Sequence, residues 1–148
     1  MKLIIHRVAA ITAFLCIVTF FISTAIVELW GTLEVVTKVK SYIVMPGLFI
    51  LVPSIALAGG TGFLLSKNRK GNVVARKKKR MPFIALNGLF ILLPAAITLN
   101  IWASQGIFDT AFYSIQAIEL IAGAINIALM ILSIRDGRRM TARKRIRG

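Results

Sequence analysis

One carboxylate lies inside the last of four long apolar segments, and this residue has the clearest capacity for chemistry in the chain. Glu119 stands about a third of the way along the segment 111–134. Because ionisable groups are costly in hydrocarbon, the helical face that carries Glu119 is expected to point into a helical bundle. Spacings of three and four residues place Gln116, Glu119, Gly123, Asn126 and Met130 on that face.

The role of Glu119 has two interpretations. An isolated carboxylate in hydrocarbon is expected to be protonated or paired. In the structural interpretation, Glu119 bonds across helices to Asn100 or to a hydroxyl of the first segment. In the functional interpretation, it interacts with a ligand, a proton or a cofactor. Asn87, inside the third segment, presents the same choice between an interhelical network and a ligand.

His6 is the only histidine, and it lies about one turn into the first apolar segment. Its depth matches that of Met81, Asn87 and Met130, so a b-type haem held by a histidine and a methionine is one hypothesis. Bis-histidine ligation within one chain is excluded, and a zinc or copper site made of protein alone is short of ligands. The alternative is an interfacial histidine without a ligand. The single cysteine, Cys16, excludes an intrachain disulfide.

Four apolar segments position these residues, at about 3–29, 41–66, 82–102 and 111–134. Each has about 20 or more mainly apolar residues, enough to cross a hydrocarbon core of about 30 Å. Of the 148 residues, 57% are hydrophobic, which is more than one soluble core of this size can bury. The sequence therefore predicts an all-α protein of one domain, residues 1–148, folded as an up-and-down bundle of four transmembrane helices.

The distribution of Lys and Arg predicts how the bundle is oriented. Of the 19 basic residues, eight fall in the loop 67–81 and seven in the tail 135–148, whereas Lys38 and Lys40 alone lie between the first two segments. Short loops rich in Lys and Arg remain on the cytoplasmic side. Both termini and the middle loop are therefore expected inside, and residues 31–40 form a short outer connection in this interpretation.

The formal charge of +14 also suggests partners. The basic runs contain no interleaved aromatic residue that could stack on bases, so nucleic acid is not an expected partner. Anionic lipid headgroups of the bilayer are the expected one, and an acidic protein is the alternative. The residues assigned to this contact are Arg76, Lys77, Lys78, Lys79 and Arg80.

Proline and small residues predict the local shape of the helices. Pro53 and Pro94 are expected to kink the second and third spans. Each ends a related stretch, GLFILVP from Gly47 and GLFILLP from Gly88, which is either a coincidence or a trace of an inverted repeat. Close helix packing is expected along the small residues Ser54, Ala58 and Gly62.

Certain of these features resemble a known family. His6 and the pair Thr61-Gly62 resemble the small bacterial four-helix membrane proteins related to copper-resistance-D and the b-type cytochromes. The stretch from Gln116 to Gly123, followed by IRDGR from Ile134, resembles an uncharacterised group of short proteobacterial inner-membrane proteins. The first resemblance implies haem binding with His6 as a ligand, and both imply the bacterial cytoplasmic membrane.

Three functions follow from the sequence. The first is a non-enzymatic accessory, assembly or scaffold subunit, acting through helix packing and its polybasic cytoplasmic face as part of a larger membrane complex or a homo-oligomer. It is favoured because no catalytic constellation is present in the sequence. The second is a haem b redox protein. The third is a small transporter or proton-coupled carrier that uses Glu119.

Overall fold

The computed structural model describes residues 1–66 and 72–146, with the backbone alone at 66, 72–74, 76–78 and 139–146. Apart from residue 1 and the connections 31–32 and 105–109, these residues are helical. A kinked segment, Ile43–Leu48, interrupts the second span, and a π-helical segment, Gly88–Leu92, interrupts the third. The α-helices are α1 Lys2–Trp30, α2 Leu33–Tyr42, α3 Phe49–Ser66, α4 Asn72–Asn87, α5 Leu93–Ser104 and α6 Thr110–Ile146.

These elements form four helices that are long and apolar enough to cross a membrane, which confirms the predicted all-α four-helix bundle. Their bounds are Lys2–Trp30, Leu33–Leu65, Lys79–Ser104 and Thr110–Arg138. The second begins well before the predicted residue 41, and the third and fourth are each longer than predicted. The bundle therefore has a loop end, at residues 31–32 and 105–109, and a basic end, at Lys2, Arg80 and Arg135.

Helix packing explains how the four spans surround a common axis. Helix α1 packs most extensively against α3 and also contacts α6, whereas α4 contacts α6 and α3. Gly47 allows one of the close approaches, because a Cβ atom there would lie 2.6 Å from Cζ of Phe20. The expected ridge of small residues is used within the chain: Ser54 and Gly62 are buried, and Ala58 is half-buried.

The first connection differs from the sequence prediction. Residues 31–40 were expected to form an outer loop, but α2 begins at Leu33. Helix α1 ends at Trp30, and the next residue, Gly31, has an extended backbone. The hydroxyl of Thr32 accepts a hydrogen bond from the Val35 amide at 3.4 Å. A threonine at this position is a common helix N-cap because its side chain satisfies a free amide. The second span is therefore extended at the loop end.

The interruption of the second span also lies elsewhere than expected. Met45 has φ −133° and ψ 111°, which are not helical values, so the chain kinks just before Pro46. Pro53 lies inside α3, beyond this kink. In the third span, the π-helical segment Gly88–Leu92 directly precedes Leu93 and Pro94 in the first turn of α5. The two related stretches thus each overlap an interruption of a span, which is a kink in the second span and a π-helical segment in the third. A π-helical segment within a helix often marks a functional site.

Two hydrophobic clusters hold the bundle together. One lies near the loop end and joins α1, α2, α5 and α6 through Val27, Val36, Leu99, Ala103 and Phe112. The other extends along the middle of the bundle and includes Ala13, Ile17, Ile43, Leu48, Leu51, Ala96 and Met130. The faces outside these clusters are rich in exposed aliphatic and aromatic side chains, as expected for helices solvated by lipid.

Candidate functional site: a buried charge cluster beside an apolar cavity

A buried ion pair joins the second and fourth spans. Nζ of Lys40 lies 2.7 Å from Oε2 of Glu119, and the side chains are 0% and 12% exposed. Nε2 of Gln116 donates a second hydrogen bond to the same carboxylate oxygen at 3.0 Å. Glu119 is therefore paired, as one interpretation of the sequence expected, but its partner is Lys40 and not Asn100.

The fold of α2 places the Lys40 ammonium inside the bundle. Val36 and Lys40 are four residues apart, so both side chains point from one helical face into the interior, where they are buried. Lys38 lies on another face and pairs with Glu34 at 2.7 Å in an exposed ion pair. The assignment of Lys40 to an outer loop was wrong, because α2 begins at Leu33 and Lys40 lies in the last turn of this helix.

Glu28 adds a second carboxylate to the same region. It lies two residues before the end of α1 and interacts electrostatically with both Lys40 and Glu119. Its Oε1 is buried and has no hydrogen-bond partner among the described residues. We call Glu28, Lys40, Gln116 and Glu119 the charge cluster.

An apolar cavity adjoins the charge cluster. Its volume is about 310 Å³, and residues from all four spans line it. Among the described residues that line it, Glu119 alone has an ionisable side chain. Gly123 and Leu120 continue the wall along α6, while Phe20 and Phe21 contribute aromatic surface from α1. The segments that interrupt the second and third spans also form part of the wall, through Ile43, Leu48, Gly88, Leu89 and Leu92.

Glu119 therefore takes part in both the ion pair and the cavity wall. Its carboxylate pairs with Lys40, and the same residue lines the cavity. A carboxylate in such a position can accept hydrogen bonds from a bound molecule, balance a positive charge, or take up a proton. This combination of an apolar cavity and a few polar groups is typical of small-molecule sites.

The remaining polar residues predicted on α6 and α4 have separate environments. Nδ2 of Asn87 donates to the backbone carbonyl of Ala122 at 2.9 Å, which is an interhelical bond. Asn126 is fully buried, and neither its Oδ1 nor its Nδ2 has a hydrogen-bond partner among the described residues. Met130 lies in the central hydrophobic cluster. The polar face of α6 predicted from spacing is thus buried, but only Gln116 and Glu119 act together.

His6 lies toward the basic end of the bundle, against α3. Its Nδ1 donates to the Ala58 carbonyl at 3.0 Å and lies 3.3 Å from Oγ1 of Thr61. A Cβ at Gly62 would be 3.0 Å from Cε1 of His6 and 3.2 Å from Sδ of Met81, so both side chains face this glycine. Within residues 1–66 and 72–146, no group of three or more His, Cys, Asp or Glu side chains is placed to hold a metal ion.

A second buried ion pair lies at the basic end of the bundle. Nη1 of Arg80 lies 2.8 Å from Oδ2 of Asp136, with side-chain exposures of 23% and 6%, and joins α4 to α6. Lys79 is exposed. The side chains of Arg76, Lys77 and Lys78, assigned to headgroup contacts, lie outside the described residues. Arg80 itself, predicted for the same contact, is used within the bundle.

Comparison of the chain with protein-family models, with curated proteins and with solved structures finds no match. The resemblance to copper-resistance-D and b-type cytochrome proteins therefore stays a prediction.

Sequence reasoning identified Glu119 and Gln116 but missed the two residues that complete the cluster. A signal for Lys40 was present: Val36, Val39, Lys40 and Ile43 have the three- and four-residue spacings of one helical face. Glu28 carried a weaker signal, because a residue so close to a helix end is ordinarily expected to reach water.

Proposed function

We propose that this protein is a non-enzymatic, multi-pass membrane protein that binds a lipophilic small molecule between its four helices, with Glu119 as the polar anchor. The observation that carries the proposal is the double position of Glu119, in an ion pair and in the wall of the 310 Å³ cavity. The proposal corresponds to the binding step of the carrier function predicted from this residue.

The size and chemistry of the cavity favour a small apolar ligand. Its volume is near the lower limit of typical ligand pockets, about 300–1,000 Å³. The lining is aliphatic and aromatic except for Thr24 and Glu119, so a strongly polar or multiply charged ligand would lose its hydration without replacement contacts. A mostly apolar molecule with one polar group meets both conditions.

We further propose a bacterial cytoplasmic membrane location with the basic end of the bundle facing the cytoplasm. The support is the concentration of Lys and Arg in residues 67–81 and 135–148. In this orientation the charge cluster lies in the outer half of the membrane, and the polybasic segments face anionic headgroups.

The experiment that tests the proposed function compares two adjacent glycines. A Cβ at Gly59 or at Gly60 has no atom within 4 Å, so both positions have open space where a side chain begins. Gly59 lines the cavity, whereas Gly60 does not. We expect Gly59→Leu to fill part of the cavity and to reduce binding of a lipophilic probe such as phenylbutanol at least about tenfold, since lost apolar contact weakens binding.

Gly60→Leu is the matched control, because it adds the same side chain one residue away and leaves the cavity free. Its affinity for phenylbutanol, measured by isothermal titration in detergent, should equal that of the unmodified protein. Equal binding in the two variants would contradict the proposed site. If phenylbutanol does not bind and the protein instead copurifies with a larger membrane complex, the accessory-subunit function predicted from the sequence would replace it.

A further inference from the structure

We infer that the ligand of this cavity is a lipophilic monocation, of the arylalkylammonium class, whose positive charge completes the charge cluster. The inference rests on the proposed function and names the chemical class of its ligand. Three observations carry it: the charge count of the cluster, the kind of polar atom left without a partner, and the chemistry of the cavity wall.

The charge cluster contains more negative than positive groups. Glu28 and Glu119 provide two carboxylates, and Lys40 provides one ammonium. Among the described residues, no other ionisable side chain lines the cavity, and the other described ion pairs are at Glu34 and Asp136. With both carboxylates ionised, the cluster has one uncompensated negative charge in a region of low polarity, where such a charge is costly.

The buried polar atoms without hydrogen-bond partners also indicate that the cluster lacks positive charge. Two buried atoms of the cluster have no hydrogen-bond partner among the described residues: Oε1 of Glu28 and Oε1 of Gln116. Both are oxygens, and both can only accept, as long as the Glu28 carboxyl is ionised. The cluster therefore lacks donors as well as positive charge. An ammonium group placed beside Glu119, the member of the cluster that lines the cavity, brings one positive charge and three N–H donors to this region.

The cavity wall selects among cations. A hydrated metal ion or a small polar cation gains nothing from a wall made of Ile, Leu, Val, Ala and Phe side chains. Phe20 and Phe21 add aromatic faces, which favour both an aromatic ring and a cation. An apolar body of aryl and alkyl groups therefore fills the cavity while its ammonium group reaches Glu119.

The first test uses the unmodified protein and three probes with one scaffold. Phenylbutylammonium, phenylbutanol and phenylbutyrate share the aromatic ring and alkyl chain and differ in the charge of the head group. We expect the ammonium to bind at least about tenfold more tightly than the alcohol, and the carboxylate to bind more weakly than either. Equal affinities for ammonium and alcohol would overturn the inference. They would leave the proposed function standing, because that function requires only that phenylbutanol binding depend on Gly59.

The second test changes the charge count without changing the cavity. Glu28 does not line the cavity, and Glu28→Gln leaves one carboxylate facing one ammonium. We expect this variant to lose most of its preference for phenylbutylammonium over phenylbutanol, to less than about threefold. An unchanged preference would contradict the charge count. Glu119→Gln should lose the preference as well, and Gly60→Leu, which changes no charge, should retain it.

Discussion

The two buried ion pairs of the bundle have almost the same length but different surroundings. Lys40 and Glu119 are 2.7 Å apart near the loop end, and Arg80 and Asp136 are 2.8 Å apart at the basic end. Arg80 is 23% exposed, so water reaches part of that pair, whereas the Lys40 side chain is 0% exposed. The first pair also has a second carboxylate beside it, that of Glu28.

The difference shows that one buried ion pair can consist of its two partners alone, whereas another can lie beside further charged and polar groups. The Arg80–Asp136 pair has one charge of each sign and joins α4 to α6 at the basic end. The Lys40 cluster has a second carboxylate, two oxygens that lack donors among the described residues, and a neighbouring cavity. The cluster, and not the pair at the basic end, is therefore the place where we propose that a further group binds.

The largest expected effect is the loss of Lys40. Lys40→Met removes the only ammonium from the cluster and leaves its carboxylates without compensation, which should lower the free energy of unfolding by about 3–5 kcal/mol. Unfolding by dodecyl sulfate in mixed micelles, followed by circular dichroism, measures this change. Replacing Glu119 as well, in the variant Lys40→Met with Glu119→Leu, should recover about half or more of the loss, because the pair is then removed as a unit.

Lys38→Met provides the control on the same helix. Lys38 also pairs with a glutamate at 2.7 Å, but its side chain and that of Glu34 are mostly exposed. Its loss should cost at most about 1 kcal/mol. Similar effects of Lys38→Met and Lys40→Met would show that burial of the Lys40 pair has no energetic consequence and would remove the basis of the comparison.

A smaller effect is expected at the basic end. Arg80→Met leaves the buried Asp136 carboxylate without its charged partner, at a cost of about 1.5–3 kcal/mol in the same assay. Because water reaches this pair, Asp136 can be partly solvated, and the loss should be below that of Lys40→Met. The reverse order would mean that the basic end, and not the charge cluster, is the more strongly coupled region.

Packing beside His6 is tested by two glycines of α3. A Cβ at Gly62 would contact the end of Met81 and Cε1 of His6, whereas one at Gly59 would meet no atom within 4 Å. Gly62→Ala should therefore destabilise the bundle by about 1–3 kcal/mol through overpacking. Gly59→Ala should be neutral or stabilise it by up to about 1 kcal/mol, because alanine favours helix. Equal stability of the two variants would show that His6 and Met81 adapt freely.

The smallest effects concern the two asparagines between the ion pairs. Asn87 donates an interhelical hydrogen bond to Ala122, so Asn87→Leu should cost about 0.5–1.5 kcal/mol. Asn126 has no hydrogen-bond partner among the described residues, so Asn126→Leu should be neutral or stabilising. A large loss in Asn126→Leu, measured by the same denaturant titration, would indicate a partner bound to this amide in the membrane.

The sequence by itself determined the number of spans and the face of α6 that is buried. Apolar segments of about 20 residues have few alternatives to a membrane helix, since hydrocarbon leaves the backbone no other hydrogen-bond partners. The three- and four-residue spacing of Gln116, Glu119 and Asn126 follows directly from helix geometry, and all three side chains turn inward. These features depend on neighbours along the chain, which the sequence displays.

Only the tertiary structure decided which residues meet. Lys40 and Glu119 are 79 residues apart in the chain, and their contact depends on α2 being a helix that continues the second span. When the second span is predicted to begin at residue 41, Lys40 is assigned to the loop before it. Glu28 joins them because the chain reverses at Gly31, which returns α2 alongside α1. Partners between helices depend on depth and rotation around the bundle axis, and neither quantity is fixed by local spacing.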